Sequence, residues 1–303
     1  MAPEPDSAAA ELIAVLAAVT AGAPRVLTRE GGAALPSGPL EPDHRSLQAG
    51  LRAWVERQTH HPLGYVEQLY TFADRDRDRP GLRHISISYL ALTREGGTLG
   101  DPGVAWRDWY RYFPWEDRRG DAARPALDVL LPALDAWAAK AQGEAERAAR
   151  IAGAFGRDGA WNEELVLQRY ELLWEAGLVA ESPAAAAPPP AISGVPMQAD
   201  HRRILATAIA RLRAKIKYRP VVFELMGPEF TLLDLQRCVE ALAGRLLHKQ
   251  NFRRLIETQA LVEETGATAR ATGGRPAKLF RFRRAVRAER AIAGSKLPLA
   301  RAR

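Results

Sequence analysis

The sequence contains a single cysteine, Cys238, among its 303 residues, so a disulfide within the chain is impossible. It also lacks a long hydrophobic run, since the apolar stretch at 12–19 is too short to cross a bilayer. Acidic residues and no Lys or Arg precede that stretch, which is the wrong charge for an export signal. These absences predict a cytoplasmic protein with no membrane partner, in which 12–19 is a buried strand and Cys238 a buried structural thiol.

The two halves of the chain differ in charge, although the net charge is only +7. Lys and Arg outnumber Asp and Glu by 23 to 9 in residues 200–303, and are outnumbered by 27 to 20 in residues 1–199. The basic half suggests nucleic-acid binding, although charge alone fits a solvated surface equally well. A stretch rich in proline and alanine separates the halves and predicts a semi-rigid linker. The predicted division is a first domain at 1–180, the linker at 181–199, a second domain at 200–284 and a basic tail at 285–303.

Residues 38–59 keep the spacing of a diphosphate-hydrolysing motif but lack most of its acids. In the register Gly-x5-Glu-x7-Arg-Glu-apolar-x-Glu-Glu-x-Gly, the matching positions are Gly38, Arg52, Trp54 and Glu56. The places of three glutamates and of the last glycine are taken by His44, Ala53, Arg57 and Thr59. The stretch therefore resembles a Nudix box without its metal ligands. The alternative is an ordinary amphipathic helix whose apolar residues face a core.

The chemistry of such a box depends on carboxylates that share one helical face. They hold Mg²⁺ against a diphosphate, and the metal then activates a water molecule. Here Glu56 is a single carboxylate beside the guanidinium groups of Arg52 and Arg57, which repel a divalent cation but suit a diphosphate. We therefore expect no metal site and no catalytic residue, and a domain that binds a nucleotide without cutting it.

Two strands follow the box, and together they predict an α+β order. Segments 63–72 and 82–92 alternate polar and apolar residues. Their sequences, "GYVEQLYTF" and "ISISYLAL", resemble those of the Nudix-related transcriptional regulators of NAD metabolism (NrtR-like), above all the alphaproteobacterial NAD regulator subgroup. The resemblance implies a Nudix-like α/β/α sandwich with NAD, ADP-ribose or a related adenine nucleotide as effector and no other cofactor. It places ligand contacts at Arg52, Glu56, Glu67 and Gln68, and Arg57 is added to them because its guanidinium group suits a diphosphate.

Aromatic residues are concentrated at 106–115, where six of ten residues are Trp, Tyr or Phe. Such density fits adenine stacking, a subunit interface or a lid packed on the protein's own core. Helices are predicted at 124–150 and 162–175, as a helical extension of the first domain over 124–180. This extension could carry a dimer contact.

Residues 200–284 predict a winged helix-turn-helix. Helices are expected at 200–216, 232–242 and 249–259, and strands at 260–265 and 278–282, around a loop rich in glycine and arginine. Thr231 and Asp234 form the expected cap of the middle helix. The third helix buries an apolar face and leaves donors and acceptors for bases and phosphates on the other.

The segments "NFRRLIE" and "GRPAKLFRF" resemble the recognition helix and the wing of the same family. We predict DNA contacts at Thr231, Lys249, Gln250, Asn251, Arg253, Arg254, Arg270, Arg275 and Lys278. The alternative use of this domain is a protein contact.

The full pattern predicts a homodimeric transcriptional repressor of NAD biosynthesis genes. Its partners would be a two-fold symmetric operator in double-stranded DNA and a nucleotide effector. The alternative is a Mg-dependent Nudix hydrolase of ADP-ribose or NADH-type diphosphates with a DNA-binding appendix. A third interpretation makes the first half a protein-interaction module without a ligand.

Overall fold

The computed structural model of the protein describes residues 8–60, 63–73, 83–96, 102–140, 143–184, 186–218, 221–269 and 276–283. Arg270, Arg275 and the tail at 285–303 lie outside the described residues, so what the sequence predicts for them stays a prediction. The described part of the chain contains a mixed sheet between helices and a smaller helical domain with a two-stranded hairpin. This arrangement confirms the predicted α+β class.

A six-stranded sheet forms the centre of the first domain. Its strands are β1 (Ala8–Thr20), β2 (Ala23–Thr28), β3 (Ser37–Pro39), β4 (Tyr65–Phe72), β5 (Arg83–Leu92) and β6 (Ala105–Asp108). Their order is β4-β5-β1-β2-β6, with β3 paired to β1. The β1–β5 pair is parallel and the other pairs are antiparallel. The strand predicted at 12–19 is confirmed, and β4 lies at an edge of the sheet.

Alternation along β1 explains why the sheet is covered on both faces. Leu12 and Leu16 lie in one buried cluster with Leu51 and Val55 of α1 (Leu47–Thr59). Ile13 and its alternate neighbours point the other way, into a larger core. The helix α6 (His201–Tyr218) contacts β1, β4 and β5 on that second side. The sheet therefore lies between α1 and α6.

The predicted helical extension is broken more often than expected. The single helix predicted at 124–150 is wrong, because the chain forms α2 (Arg124–Ala138) and α3 (Glu144–Phe155). Gly143 precedes α3 with a φ of 96°, a left-handed conformation that interrupts a right-handed helix. The next helix, α4 (Val166–Glu175), begins later than predicted because the Asn162 side chain accepts a hydrogen bond from the Glu164 amide in a local turn.

The proline- and alanine-rich stretch at 181–199 does not behave as a spacer in its described residues. It contains a short helix, α5 (Pro190–Ser193), and the Val195 amide donates to the Arg111 carbonyl. The buried Arg202 guanidinium donates to the Tyr112 carbonyl at 2.6 Å and lies 3.1 Å from the Glu181 carboxylate. These bonds fix both ends of the stretch against the first domain.

The second domain has the expected order of elements. After a short 3₁₀ helix at Val221–Leu225 come α7 (Leu232–Ala243), α8 (Lys249–Thr258), β7 (Val262–Ala269) and β8 (Ala277–Phe282). Phe230 exchanges two backbone hydrogen bonds with Phe280, which forms an isolated bridge beside the two-stranded hairpin. Helix α6, predicted as part of this domain, contacts α7 as well as the sheet, so it belongs to both domains.

Candidate nucleotide and nucleic-acid sites

The box helix α1 is held in place by a cap at its first turn and by contacts of Trp54 with β3. Ser46 caps its first turn by accepting from the Ala49 amide at 3.1 Å. Trp54 lies directly over Gly38, where a Cβ atom would come within 2.2 Å of the indole ring. The indole N–H donates to the Pro39 carbonyl at 2.9 Å. Gly38 thus matches the signature because a larger residue would displace Trp54.

The charged residues of the box differ in their contacts. Arg52 donates to the Leu63 carbonyl, and to the Gly64 carbonyl at 3.0 Å, so it holds the segment that leads into β4. Arg57 is exposed and its guanidinium lies 4.7 Å from the centre of the Trp54 ring. Glu56 is exposed on the same helix. The face therefore offers one carboxylate and two guanidinium groups, a set that suits an anionic ligand better than a cation.

The strand β4 separates two residues that the sequence groups together. Gln68 pairs with Tyr89, which lies in the cluster on the α1 side of the sheet. Glu67 pairs with Leu90, which lies in the larger core on the opposite side. Directly paired residues share a face and consecutive residues alternate. Glu67 therefore points away from the box, and the structure does not bring it together with Arg52, Glu56, Arg57 and Gln68.

The donor set of the box does not fit Mg²⁺, which needs several oxygen ligands. Within the described ranges, no group of three or more His, Cys, Asp or Glu residues could hold a metal ion. His44, in the place of the first signature glutamate, accepts from the Glu41 amide at 3.2 Å through its Nδ1. Its ring lies against Gly50 of α1. No chemical step through a metal is derived for this arrangement.

The aromatic segment fills the core between the two domains. Trp109, Tyr112, Phe113 and Trp115 are buried with at most 1% of their surface exposed. The Tyr110 hydroxyl donates to the Ala241 carbonyl at the end of α7 at 2.6 Å. Packing on the protein's own core is therefore the correct interpretation for these residues, and their rings are not available for stacking on a nucleotide.

A buried charge cluster beside this segment was not predicted. Glu116 accepts from Arg169 at 2.6 Å and from Arg213 at 2.5 Å, and all three side chains are at most 1% exposed. Burial alone would raise the pKa of Glu116, but the two arginines outweigh burial and hold this pKa below its ordinary value. Arg213 also donates to the Leu242 carbonyl of α7 at 2.8 Å. The cluster thus joins the helical extension, α6 and α7. No sequence pattern predicts it, because its three charged residues lie far apart in the chain.

The helix α8 presents a basic face to solvent. Phe252 and Ile256 are buried on its inner side, as predicted from their spacing. The predicted contacts on its outer side are exposed, and they are Lys249, Gln250, Asn251, Arg253 and Arg254. A helix that is apolar inside and lined with cations and amides outside is suited to a major groove.

The other described contacts predicted for DNA already have partners within the chain. Thr231 forms the predicted capping box, in which its hydroxyl accepts from the Asp234 amide at 3.1 Å and donates to the Asp234 carboxylate at 2.7 Å. Lys278 on β8 lies 2.8 Å from Glu264 of β7, and both side chains are exposed. Exposed pairs of this kind are weak, so Lys278 can exchange its partner for a phosphate.

Comparison with known proteins agrees with these features. Residues 222–282 match the family described as the NrtR DNA-binding winged helix domain. The ADPR responsive transcriptional repressor NtrR of Acinetobacter baylyi is 42% identical over 83 residues, which are 27% of this chain and 33% of that protein. The chain therefore matches about a third of the length of this curated relative.

Two solved structures resemble nearly the whole chain. The crystal structure of Shewanella oneidensis NrtR complexed with a 27mer DNA has a TM-score of 0.55 at 20% identity, over 94% of this chain and 99% of that one. A MutT/nudix family protein from Enterococcus faecalis has a TM-score of 0.56 at 17% identity, over 93% and 89%. At these identities the likeness shows the fold, a Nudix-like domain followed by a winged helix. The predicted fold and the predicted resemblance to NrtR-like regulators are confirmed. In the described part of the chain, none of the helices is long and apolar enough to cross a membrane.

Proposed function

We propose that the chain is a transcriptional repressor of the NrtR type that binds operator DNA through α8. The observation that carries this proposal is the exposed basic face of a helix inside a domain that matches the NrtR winged helix by sequence. The named relative is a repressor, and the similar Shewanella protein has been crystallised with DNA. Phosphate contacts by Lys249, Arg253, Arg254, Lys278 and the wing would hold the duplex, and Gln250 and Asn251 would reach base edges.

The effector we propose is an adenine nucleotide of the ADP-ribose or NAD type. Its support is the Nudix-like fold, the anion-compatible face of α1, and a relative that is described as ADPR responsive. Arg52, Glu56, Arg57 and Gln68 are the proposed contacts. Glu67 is removed from this group because it faces the other side of the sheet. The nucleotide would change DNA affinity by binding one state of the protein better than another.

The first domain, in this proposal, binds the nucleotide without hydrolysing it. The support is the donor set at the box, where Glu56 stands beside Arg52 and Arg57 and where His44 and Ala53 replace two further signature acids. The measurement is the release of AMP from ADP-ribose or NADH in the presence of Mg²⁺. Turnover that Glu56→Gln abolishes would establish the hydrolase alternative instead.

The proposed binding unit is a homodimer on a two-fold symmetric site, since one winged helix per chain reads too few base pairs for high specificity. The proposed targets are NAD biosynthesis genes. The test begins with selection of bound sequences from a randomised duplex pool, followed by gel shifts with the selected DNA at several salt concentrations. A protein that selects no sequence and binds all duplexes alike in moderate salt is not a repressor of this kind. A selected site without two-fold symmetry, bound by one chain, overturns the dimer.

A further inference from the structure

The edge strand β4 is bonded to elements on both of its sides. On one side, Arg52 of the box helix holds the Leu63 and Gly64 carbonyls, which directly precede the strand. On the other side, the Glu67 carboxylate forms an ion pair with Lys215 of α6. Lys215 also donates to the Tyr65 hydroxyl at 2.6 Å, and this hydroxyl donates to Glu67. The three side chains Tyr65, Glu67 and Lys215 are called the β4–α6 triad below.

The β4–α6 triad is a well-shielded contact. The side chain of Lys215 is 12% exposed and that of Glu67 is 23% exposed, so water screens their attraction less than it screens a surface pair. The triad therefore fixes the position of β4 relative to α6 more firmly than a solvent-exposed ion pair would.

The strand β4 is easier to displace than a central strand. It is paired only to β5, and its register shifts between Gln68 and Thr71. Ser88 of β5 spans this irregularity, donating to the Tyr70 carbonyl at 2.7 Å and accepting from the Tyr70 amide at 3.3 Å. An edge strand with a bulge has fewer ladder bonds to break when it shifts.

The helix α6 connects β4 to the DNA-binding domain. Lys215 and Arg213 are two residues apart, so they project from nearly opposite sides of the helix. Arg213 donates to the Leu242 carbonyl at the end of α7, and α7 packs against α8. A continuous series of contacts therefore runs from the box helix through β4 and α6 to the helix-turn-helix.

We propose that Lys215 is the positioning residue that couples the nucleotide site to DNA affinity, through its contacts with Glu67 and Tyr65. The inference rests on the proposed function, because it assumes that a nucleotide binds on the α1 side of the sheet. A ligand held by Arg52 or Gln68 displaces β4. Glu67 belongs to the same strand and lies on its opposite face, so it moves with β4. Lys215 transmits this displacement to α6. A contiguous path of contacts becomes coupling only when a variant changes the response of one site to the other.

The test variant is Lys215→Met, which keeps the apolar stem and removes the charge. Operator affinity is measured by fluorescence anisotropy on DNA selected from a random pool, with and without saturating ADP-ribose, and in parallel with NAD⁺. The response factor is the ratio of the two dissociation constants. We expect Lys215→Met to reduce this factor by roughly 3- to 10-fold. Its affinity for DNA without nucleotide and its nucleotide affinity, from calorimetry, should stay within about twofold of wild type. Glu67→Gln should give the same result.

The matched control is Lys217→Met on the same helix. Lys217 is 17% exposed and pairs with Glu163 at 2.9 Å and Glu164 at 2.5 Å, but these contacts do not involve β4. This variant loses two ion pairs of similar burial on the same helix and should keep the wild-type response factor. Equal loss of response in both lysine variants would show a general loosening of α6 and would overturn the inference.

Separate outcomes distinguish this inference from the proposed function. If the wild-type protein binds neither nucleotide, or if neither nucleotide changes its DNA affinity, the proposed sensing function is overturned, and the inference with it. A wild-type protein that responds, together with a Lys215→Met variant that responds equally, overturns only the inference. If Lys215→Met is unfolded by circular dichroism, Glu67→Gln and the charge exchange Glu67→Lys with Lys215→Glu decide. Recovery of the nucleotide response in the exchange variant supports coupling through the Lys215–Glu67 ion pair. An unchanged response in Glu67→Gln rejects that coupling.

Discussion

Glu116 and Arg213 form a fully buried ion pair, 2.5 Å apart, between the aromatic segment and the helix that both domains share. Arg169 binds the same carboxylate from α4, so two buried cations share one anion. The Arg118 amide and the Gly244 carbonyl bond across the same junction at 2.7 Å. The two domains are therefore joined by a polar centre inside a continuous core, and a hinge at this point would break these bonds and expose apolar side chains to water. A nucleotide response is more readily carried by strand and helix displacements than by separation of the domains.

Removal of this carboxylate should destabilise the protein strongly. Glu116→Gln leaves Arg169 and Arg213 buried without an anion, and breaking a buried pair in this way costs about 3–5 kcal/mol. The measurement is the free energy of unfolding from urea denaturation. Asp135→Asn is the control, because Asp135 pairs with Arg157 on the surface and its loss should cost at most about 1 kcal/mol. Similar losses in the two variants would contradict the role of Glu116.

The contribution of Glu116 should also depend on pH. Its pKa in the folded protein lies below the ordinary value of 4.5, so the folded state binds this proton more weakly than the unfolded state does. The stabilisation is complete above the unfolded pKa and disappears as pH falls through the lower folded value. The difference in unfolding free energy between wild type and Glu116→Gln should be constant from pH 8 to about 5 and shrink below it. A difference that grows as the pH falls would show that the pKa of Glu116 is higher in the folded state than in the unfolded state.

The sequence predicts elements whose pattern is local and misses relationships that depend on distant contacts. An apolar run marks the strand at 12–19 and apolar spacing marks the recognition helix, and the structure contains both. The helix break at Gly143 could have been suspected from the glycine, but periodicity on either side concealed it. The stretch at 181–199 has the composition of a linker, and it packs because Val195 bonds to Arg111 and Arg202 bonds to Tyr112, contacts that composition does not reveal. The resemblance places Glu67 and Gln68 together in the ligand site, although a strand sends consecutive side chains to opposite faces.

The contact between Gly38 and Trp54 predicts a second structural effect. Gly38→Ala should destabilise the protein by about 1–3 kcal/mol, because the new Cβ would lie 2.2 Å from the indole ring. Urea denaturation measures the loss, and Trp54→Leu added to Gly38→Ala should recover part of it. Gly64→Ala serves as the control, since its Cβ would meet no atom within 4 Å. An unchanged free energy of unfolding in Gly38→Ala would show that Trp54 moves aside without an energetic cost.

The single thiol should be inert in the folded protein. Cys238 is 4% exposed, and burial raises its pKa to about 12, so almost no thiolate exists near neutral pH. Reaction with Ellman's reagent at pH 8 should be at least about 100-fold slower in the native protein than in 6 M guanidinium chloride. Fast modification under native conditions would show that the packing around α7 opens readily.

The two arginines Arg254 and Arg52 should separate DNA binding from nucleotide sensing. Arg254→Ala removes a proposed phosphate contact from α8, so it should weaken operator binding and lower the salt dependence of binding by about one counterion, whether or not nucleotide is present. Arg52→Ala removes the bonds to the Leu63 and Gly64 carbonyls, so it should blunt the nucleotide response and change DNA affinity by less than about twofold. Arg150→Ala is the control for charge, because this exposed arginine pairs with Glu175 on the helical extension. Anisotropy titrations in two salt concentrations measure all three. Equal loss of DNA affinity in Arg254→Ala and Arg52→Ala would mean that the box helix supports the DNA-binding surface directly, and the separation of the two roles would be lost.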